Sequence, residues 1–341
     1  MGWELGQQII DRLRFKKRTY GRIMSANHAC YGKIYYPNYN LDFEFKNYYL
    51  SNSAVYNNEH SSNLYNEYGE KLKLFFIRDN SFAHIPYRQS RYFMWDRYNF
   101  GLNTHFYSHR HMLETMGKPD KRYGLLTESE AIERKAHNLF HTHKGLEKDY
   151  DLIFTHSARV LDKIDNARFV PFCATLWNKN ELSNDAYTKK TKNVSIVSSD
   201  KLMCELHKYR YDLAHKCKRE YLADTYGTFD GGPMVKMSDI LTSYRYSICI
   251  ENDIQPYFFT ERLVSTLAAQ TIPIYLGATE IDKFFNPDGI IQISTNDDIS
   301  TVLKQCTKEE YERRLPAILD NYQKALEYNN PYDYMYEKYL K

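Results

Sequence analysis

Between Tyr244 and Ile293 the apolar positions fall into two short runs separated by a helical stripe. Arg245 to Ile250 has the near-continuous apolar character of a strand buried on both faces, and it ends on Glu251-Asn252. After a polar loop, Thr260 is placed to cap a helix with Leu263, Leu267 and Ala268 along one stripe. Thr271-Ile272-Pro273 then leads into a second short strand closed by Gly277. The order is β-α-β. Ligands of such units collect outside the carboxyl ends of the strands, which singles out Glu251 and Asn252. The helix N-terminus, with Arg262 in its first turn, offers amide donors and positive charge to a phosphate. A nucleotide diphosphate with its sugars suits that geometry.

The same patterning predicts an open α/β arrangement for the rest of the chain. Leu72–Ile77, Arg91–Met94, Tyr123–Thr127, Asp151–Thr155 and Arg168–Val170 read as strands separated by helical segments. The Tyr123 strand runs out on Glu128-Ser129-Glu130, so Glu128 sits at a strand's carboxyl end where a helix begins. The cluster Trp95-Asp96-Arg97 and the polar, aromatic run containing His105 are candidates for an acceptor-binding surface. Residues 20–70 are rich in Asn, Tyr and Ser and read as loops or edge strands.

A polar, charged stretch at 177–192 has the character of a linker. Beyond it Val194–Val197 predicts a buried strand ending at Ser198-Ser199, followed by a helix over Leu202–Cys217 and a strand Leu222–Tyr226 before Gly227. A helix from Lys308 aligns Tyr311, Leu315, Ile318, Leu319 and Tyr322 on one face. The expected division is an acceptor-side α/β domain at 1–176, the linker at 177–192, and a nucleotide-sugar-binding Rossmann-like domain at 193–310. A helical tail at 311–341 is expected to pack back on the first domain.

Composition narrows the function. With 46 cations among 43 anions the net charge is +3, which gives no reason to expect a nucleic-acid partner. The 32 tyrosines suit stacking on sugars or bases, although a tyrosine-heavy core or codon bias accounts for most of them. Cys30, Cys173, Cys204, Cys217, Cys249 and Cys306 show no paired close spacing, the usage of free thiols in a reducing compartment. No run approaches the ~20 apolar residues of a membrane span, and the N-terminal segment lacks a signal peptide's apolar core. A cytoplasmic protein is expected, with at most peripheral membrane contact through the basic run Arg14 to Arg18.

Three motifs compete for a metal. Asp149-Tyr150-Asp151 has an Asp-X-Asp form but precedes its strand, which points the carboxylates to the wrong end. His109-Arg110-His111 and His141-Thr142-His143 lack Cys or carboxylate partners at ligand spacing, so no metal site is assigned.

Glu251-Asn252, then after five residues Phe258-Phe259-Thr260-Glu261-Arg262, then Thr271 to Gly277 and Phe285-Asn286-Pro287, form a long pattern with fixed spacing. It resembles the donor-binding signature of the α1,3/1,4-fucosyltransferases, glycosyltransferase family 10. The family usually has Tyr at the position of Phe258 and Lys at that of Arg262.

The resemblance implies two Rossmann-like domains facing a cleft, the GT-B-like arrangement, and inverting transfer of L-fucose from GDP-fucose to a glycan hydroxyl. No tightly bound cofactor and no essential divalent metal are implied. Thr127-Glu128-Ser129-Glu130 is similar to the family's Glu-Ser-Pro segment, whose glutamate is the proposed general base. A helix-capping role for Glu128 or Glu130 stays open. Ser198-Ser199 stands where the family has Ser-Asn, and Arg210 matches its phosphate-binding arginine, with Lys208 or Arg219 as substitutes. Lys236 matches a further basic position, and Tyr226 joins Thr260, Glu261 and the signature residues on the donor side. Two alternatives remain. One is the same fold with another nucleotide sugar, because Phe258 and Arg262 alter the donor pocket; the other is a non-catalytic glycan-binding module.

Overall fold

The computed structural model describes residues 69–78, 90–96, 102–113, 115, 119–172, 174–176 and 182–341. The loops expected at 20–68, the basic run Arg14 to Arg18, Arg97, Cys30, Cys173 and the side chain of Asp96 lie outside the described residues. The chain divides into two compact units, one ending at Val170 and regaining Met335–Lys341, the other spanning Pro171–Tyr334.

The first unit holds one six-stranded parallel sheet. Its strands are β1 (Lys73–Arg78), β2 (Phe93–Asp96), β3 (Thr104–Ser108), β4 (Lys121–Leu126), β5 (Leu152–Thr155) and β6 (Ala167–Phe169), in the order β2-β1-β3-β4-β5-β6. Helix α1 (Glu130–His137) follows β4 and α2 (Ala158–Lys163) follows β5. Phe76, Tyr107, Leu126, Ile153 and Val160 share its core.

Strand β3 is absent from the expectations above. Its sequence THFYS alternates no better than a loop, yet its last four residues are buried. The reason is His105, which is fully buried with its Nδ1 2.8 Å from the Tyr107 hydroxyl. That pairing lets a polar ring sit beside Phe76. His105 is therefore part of the sheet interior and not of an acceptor surface. Trp95 is likewise buried, edge-on to Phe93 and Phe106.

The second unit holds a five-stranded parallel sheet of β7 (Lys192–Val197), β8 (Asp224–Tyr226), β9 (Tyr244–Ile250), β10 (Ile272–Leu276) and β11 (Ile291–Gln292). The order is β11-β10-β9-β7-β8. Its helices include α3 (Glu205–Arg219), α4 (Met237–Leu241), α5 (Glu261–Ala268), α6 (Ile299–Lys304), α7 (Lys308–Arg313) and α8 (Leu315–Leu326). The chain goes from β7 outward to β8, then returns to the far side of β7 with β9. The direction of winding therefore reverses between β7 and β9.

Alternation along the strands sorts the helices to two faces. Ile196, Ile248 and Ile274 pack with Leu213 and Cys217 of α3, whereas Val197 packs with Met237 and Leu241 of α4 and with Ala269 just beyond α5. On this second face Ser195 and Ser247 stand opposite each other and bond at 3.1 Å, which satisfies two buried hydroxyls. The helix expected from Lys308 is two helices, interrupted at Arg314. Pro316 lacks an N–H and sits in the first turn of α8, where backbone N–H groups have no intrahelical acceptor to lose.

Residues 182–192 are built into the second unit and are not a free linker. Lys190 is buried and its Nζ donates to Leu241 O (2.7 Å), Ala269 O (2.7 Å) and Thr271 Oγ1 (2.8 Å). The tail also differs from expectation, since only Met335–Lys341 belongs to the first unit. There Tyr336 stacks on Tyr92 at 4.5 Å, and the Tyr339 hydroxyl donates to Phe169 O at 2.9 Å. Cys204, Cys217, Cys249 and Cys306 are free thiols. Among the described residues no helix is long and apolar enough to cross a membrane, and no cluster of three or more His, Cys, Asp or Glu is placed to hold a metal.

The junction of β9 with α5 is fixed by one carboxyl group. Glu251 is fully buried; its Oε1 accepts from Thr260 N at 2.9 Å and its Oε2 from Thr260 Oγ1 at 2.6 Å. Thr260 Oγ1 in turn accepts from Arg262 N at 3.2 Å, so the helix cap and the strand end are one network. Burial raises the Glu251 pKa to about 7, against the opposing pull of the Thr260 hydroxyl.

Two stability measurements follow from this packing. Lys190→Met removes the side-chain donor from Ala269 O and leaves Leu241 O with the Thr271 hydroxyl alone, and is expected to lower the unfolding free energy by ~1–3 kcal/mol in urea titrations; an unchanged midpoint would exclude a structural role. Because the folded pKa of Glu251 lies above its ordinary value of 4.5, its contribution is complete below that value and is lost as pH rises through about 7. Unfolding curves from pH 4 to 8 are expected to show a decline over that interval that Glu251→Gln flattens.

Candidate active site

The reversal of winding leaves the carboxyl ends of β7 and β9 adjacent, with α3 leaving on one face and α5 on the other. A ligand crevice belongs at such a point. Ser198 and Ser199 directly follow β7, and Glu251 and Asn252 directly follow β9. Cys204 at the N-cap of α3 donates its thiol to Asn252 O at 3.2 Å and ties the two loops together. Ser198 N donates to Tyr226 O at 2.9 Å, bringing the end of β8 against the end of β7. Gly227 permits this crossing: its φ is +104°, and a Cβ there would lie 2.1 Å from Ser198 O.

Cations converge on this point. Arg210 in α3 is buried and its Nη1 donates to Ile250 O at 2.7 Å, holding the guanidinium under the last residue of β9. Burial and the neighbouring Arg262 lower its pKa to about 9, which leaves it charged at neutral pH. His207 precedes Arg210 by one turn and lies on the same side of the helix. It is 8% exposed, and burial followed by the charges of Arg210, Arg262 and Lys201 lowers its pKa to about 4.

In the second unit the buried side-chain atoms without a hydrogen-bond partner, among the described residues, are Ser199 Oγ, His207 Nδ1, Arg210 Nε, Asn252 Oδ1 and Ser265 Oγ. The first four belong to this crevice. Orphaned polar atoms are costly in a folded protein, so their concentration beside three cations marks a place built for a polar, anionic ligand.

The structure thus brings together Ser198, Ser199, Arg210, Glu251, Asn252, Thr260 and Arg262 from the sequence-based set. Glu251 does so by positioning, since both its oxygens are engaged by Thr260. Phe258 is buried, and Glu261 is half-buried in the first turn of α5. Tyr226 does not join them: its hydroxyl bonds that of Tyr244 at 2.8 Å, at the opposite end of β9. Lys236 is exposed at the N-cap of α4, and no hydrogen bond or ion pair among the described residues ties it to the group. His207 and Lys201 were not singled out from sequence. The spacing of His207 to Arg210, three residues on one helix, was the signal available for the first.

Glu128, in the first unit, lies between β4 and α1 and is half-buried. Its backbone is held from both sides. His109 Nε2 accepts from Thr127 N and Glu128 N at 3.2 Å each, and His137 Nε2 donates to Glu128 O at 2.7 Å. Its Oε1 accepts from Ser129 N at 2.8 Å. Glu130 is committed elsewhere, to Ser157 Oγ at 2.5 Å and Arg159 Nη2 at 2.8 Å. Although burial raises its pKa, those two partners lower it further, so the net shift is downward. The N-cap of α1 is Ser129, and neither glutamate occupies that position.

Three comparisons bear on this geometry. A model of the family described as glycosyltransferase family 10 (fucosyltransferase), C-terminal, matches residues 187–314, the stretch that carries the crevice. An α-(1,3)-fucosyltransferase, FucT, of Helicobacter pylori is 30% identical over 56 residues, 16% of this chain; the match spans 12% of that relative's length. The fold is similar to crystal structures of α1,3-fucosyltransferase with GDP (TM-score 0.48, 14% identity, 77% of this chain and 92% of that one). With GDP-fucose the corresponding values are 0.47, 14%, 75% and 88%. Residues 187–314 thus match the C-terminal domain of glycosyltransferase family 10, and they include the ends of β7 and β9 and the start of α5.

Proposed function

We propose that this chain is an inverting fucosyltransferase that moves L-fucose from GDP-fucose to a hydroxyl group of a glycan acceptor. The observation that carries this reading is the set of unpartnered polar atoms and cations at the ends of β7 and β9, inside the segment matched to the fucosyltransferase family. Arg210, Arg262 and the amides of the first turns of α3 and α5 hold the diphosphate and stabilise the negative charge that grows on it as it departs. Glu251 keeps Thr260 and the start of α5 in place for that contact.

The acceptor hydroxyl gives its proton to Glu128 as its oxygen forms a bond to the anomeric carbon. The bond from that carbon to the phosphate oxygen breaks, and the electron pair leaves with GDP. Attack opposite the leaving group, through an oxocarbenium-like transition state, inverts the centre. The fixed backbone of Glu128, between His109 and His137, suits a base that must hold its direction. Glu130 is excluded from that role by its ion pair with Arg159.

One observation favours a second donor. Phe258 is 1% exposed and has no hydroxyl, so whatever polar contact a tyrosine there would give the sugar is lost. The same crevice and chemistry would then serve a different nucleotide sugar.

Thermal unfolding with GDP, UDP and CMP in parallel tests the donor. A ligand at ~100 times its dissociation constant adds ~2.7 kcal/mol to the folded state. Stabilisation by GDP alone is expected; stabilisation by UDP alone would retain the fold and change the donor, and no response to any nucleotide would reject the enzyme reading. Glu128→Gln is expected to cut transfer by ~10²–10⁴-fold with GDP affinity unchanged, and turnover near that of the parent would remove Glu128 from the base role.

A further inference from the structure

We propose that His207 is a direct ligand of the donor's diphosphate, an imidazole that accepts a proton as the anion binds and so completes the positive site formed by Arg210 and Arg262. The inference deepens the proposed donor reading and rests on it. His207 lies in the first turn of α3, a helix of 15 residues, whose N-terminus faces the crevice between β7 and β9. It is 8% exposed, and its Nδ1 is buried with no partner.

Its surroundings explain why the ring is neutral without ligand. The charges acting on it are Lys201 in the loop after β7, Arg210 in α3 and Arg262 in α5, all of them cations. Glu251, at the end of β9, acts on Arg210, and Glu261 acts on Glu251. Burial and three like charges push the His207 pKa down to about 4. Buried side-chain nitrogens are in the large majority hydrogen-bonded, and His207 Nδ1 is not. Here the ring nitrogen stands among groups that all attract an anion.

A bound diphosphate reverses the local field. Its negative charge offsets the cations, favours the imidazolium, and turns the ring into a charge-assisted donor. Binding therefore takes up a proton, and by linkage affinity must rise as pH falls through the pKa of the bound state. The proton is released again when the nucleotide dissociates, so the cycle balances.

The experiment is calorimetric titration of the full chain with GDP and, separately, with inorganic pyrophosphate, at pH 6, 7 and 8 and in two buffers of different ionisation enthalpy. The variants are His207→Gln and His207→Ala. For the parent we expect proton uptake and an affinity that strengthens several-fold from pH 8 to pH 6. His207→Gln, which retains a hydrogen-bond donor but cannot take up a proton, is expected to weaken binding and to lose both the uptake and its share of the pH slope. Unfolding without ligand establishes that this variant is folded; should His207→Ala fail to fold, His207→Gln alone decides. Parent-like affinity and proton uptake in His207→Gln overturn the proposal. A parent that binds pyrophosphate but not GDP overturns the donor reading and leaves the role of His207 measurable. A parent that binds neither overturns both.

Discussion

The second unit depends on one carboxyl group in an unusual place. Glu251 ends a buried strand where water cannot reach it, and a carboxylate so placed is stable only if both oxygens are paired or if it takes up a proton. Thr260 supplies the pairing with its amide and hydroxyl, and in doing so starts helix α5. Room for the arrangement comes from the next strand. A Cβ at Gly277 would lie 2.5 Å from Glu251 Cγ and 2.4 Å from the Tyr275 hydroxyl, so any larger residue would drive the carboxyl from its position. Residues 26 positions apart in sequence therefore specify a single contact, which sets where β9 ends and which way α5 leaves it.

That constraint organises the electrostatics around it. With Glu251 engaged at the start of α5, the side of the crevice next to α3 is left to cations and neutral polar atoms. Bringing Arg210, Arg262 and Lys201 around one histidine is unfavourable in the protein alone, as the lowered pKa values of His207 and Arg210 express. Strain of this kind is expected where binding of an opposite charge is the purpose, and it is the mark by which a functional site differs from a well-paired core.

Much of this was legible in the sequence because the β9–α5–β10 segment is locally self-consistent. An apolar run, a capping threonine, a helical stripe and a closing glycine all agree, and each element formed within a residue or two of its expected bounds. Strand β3 was not legible, because its inward positions include a histidine whose burial depends on a tyrosine two residues on. Lys190 misled for the same reason: a lysine in a polar run reads as linker until its three acceptors, 51 to 81 residues away, are known. Of the candidate site, the strand ends and helix starts were recognisable from order alone. The direction of a side chain was not. Glu251 turns inward to Thr260, Tyr226 turns to Tyr244, and His207 acquires meaning only once Arg262 is brought beside it by the sheet.

The return of Met335–Lys341 to the first unit has a consequence for synthesis. Chains fold as they emerge from the ribosome, amino-terminal parts first. Here the ring that stacks on Tyr92 and the hydroxyl that bonds Phe169 reside in the last seven residues of the sequence. The first sheet must wait, its aromatic surface uncovered, while the whole second unit is made. Whatever order the two units would choose for themselves, the earlier one is completed only by residues made after those of the later one.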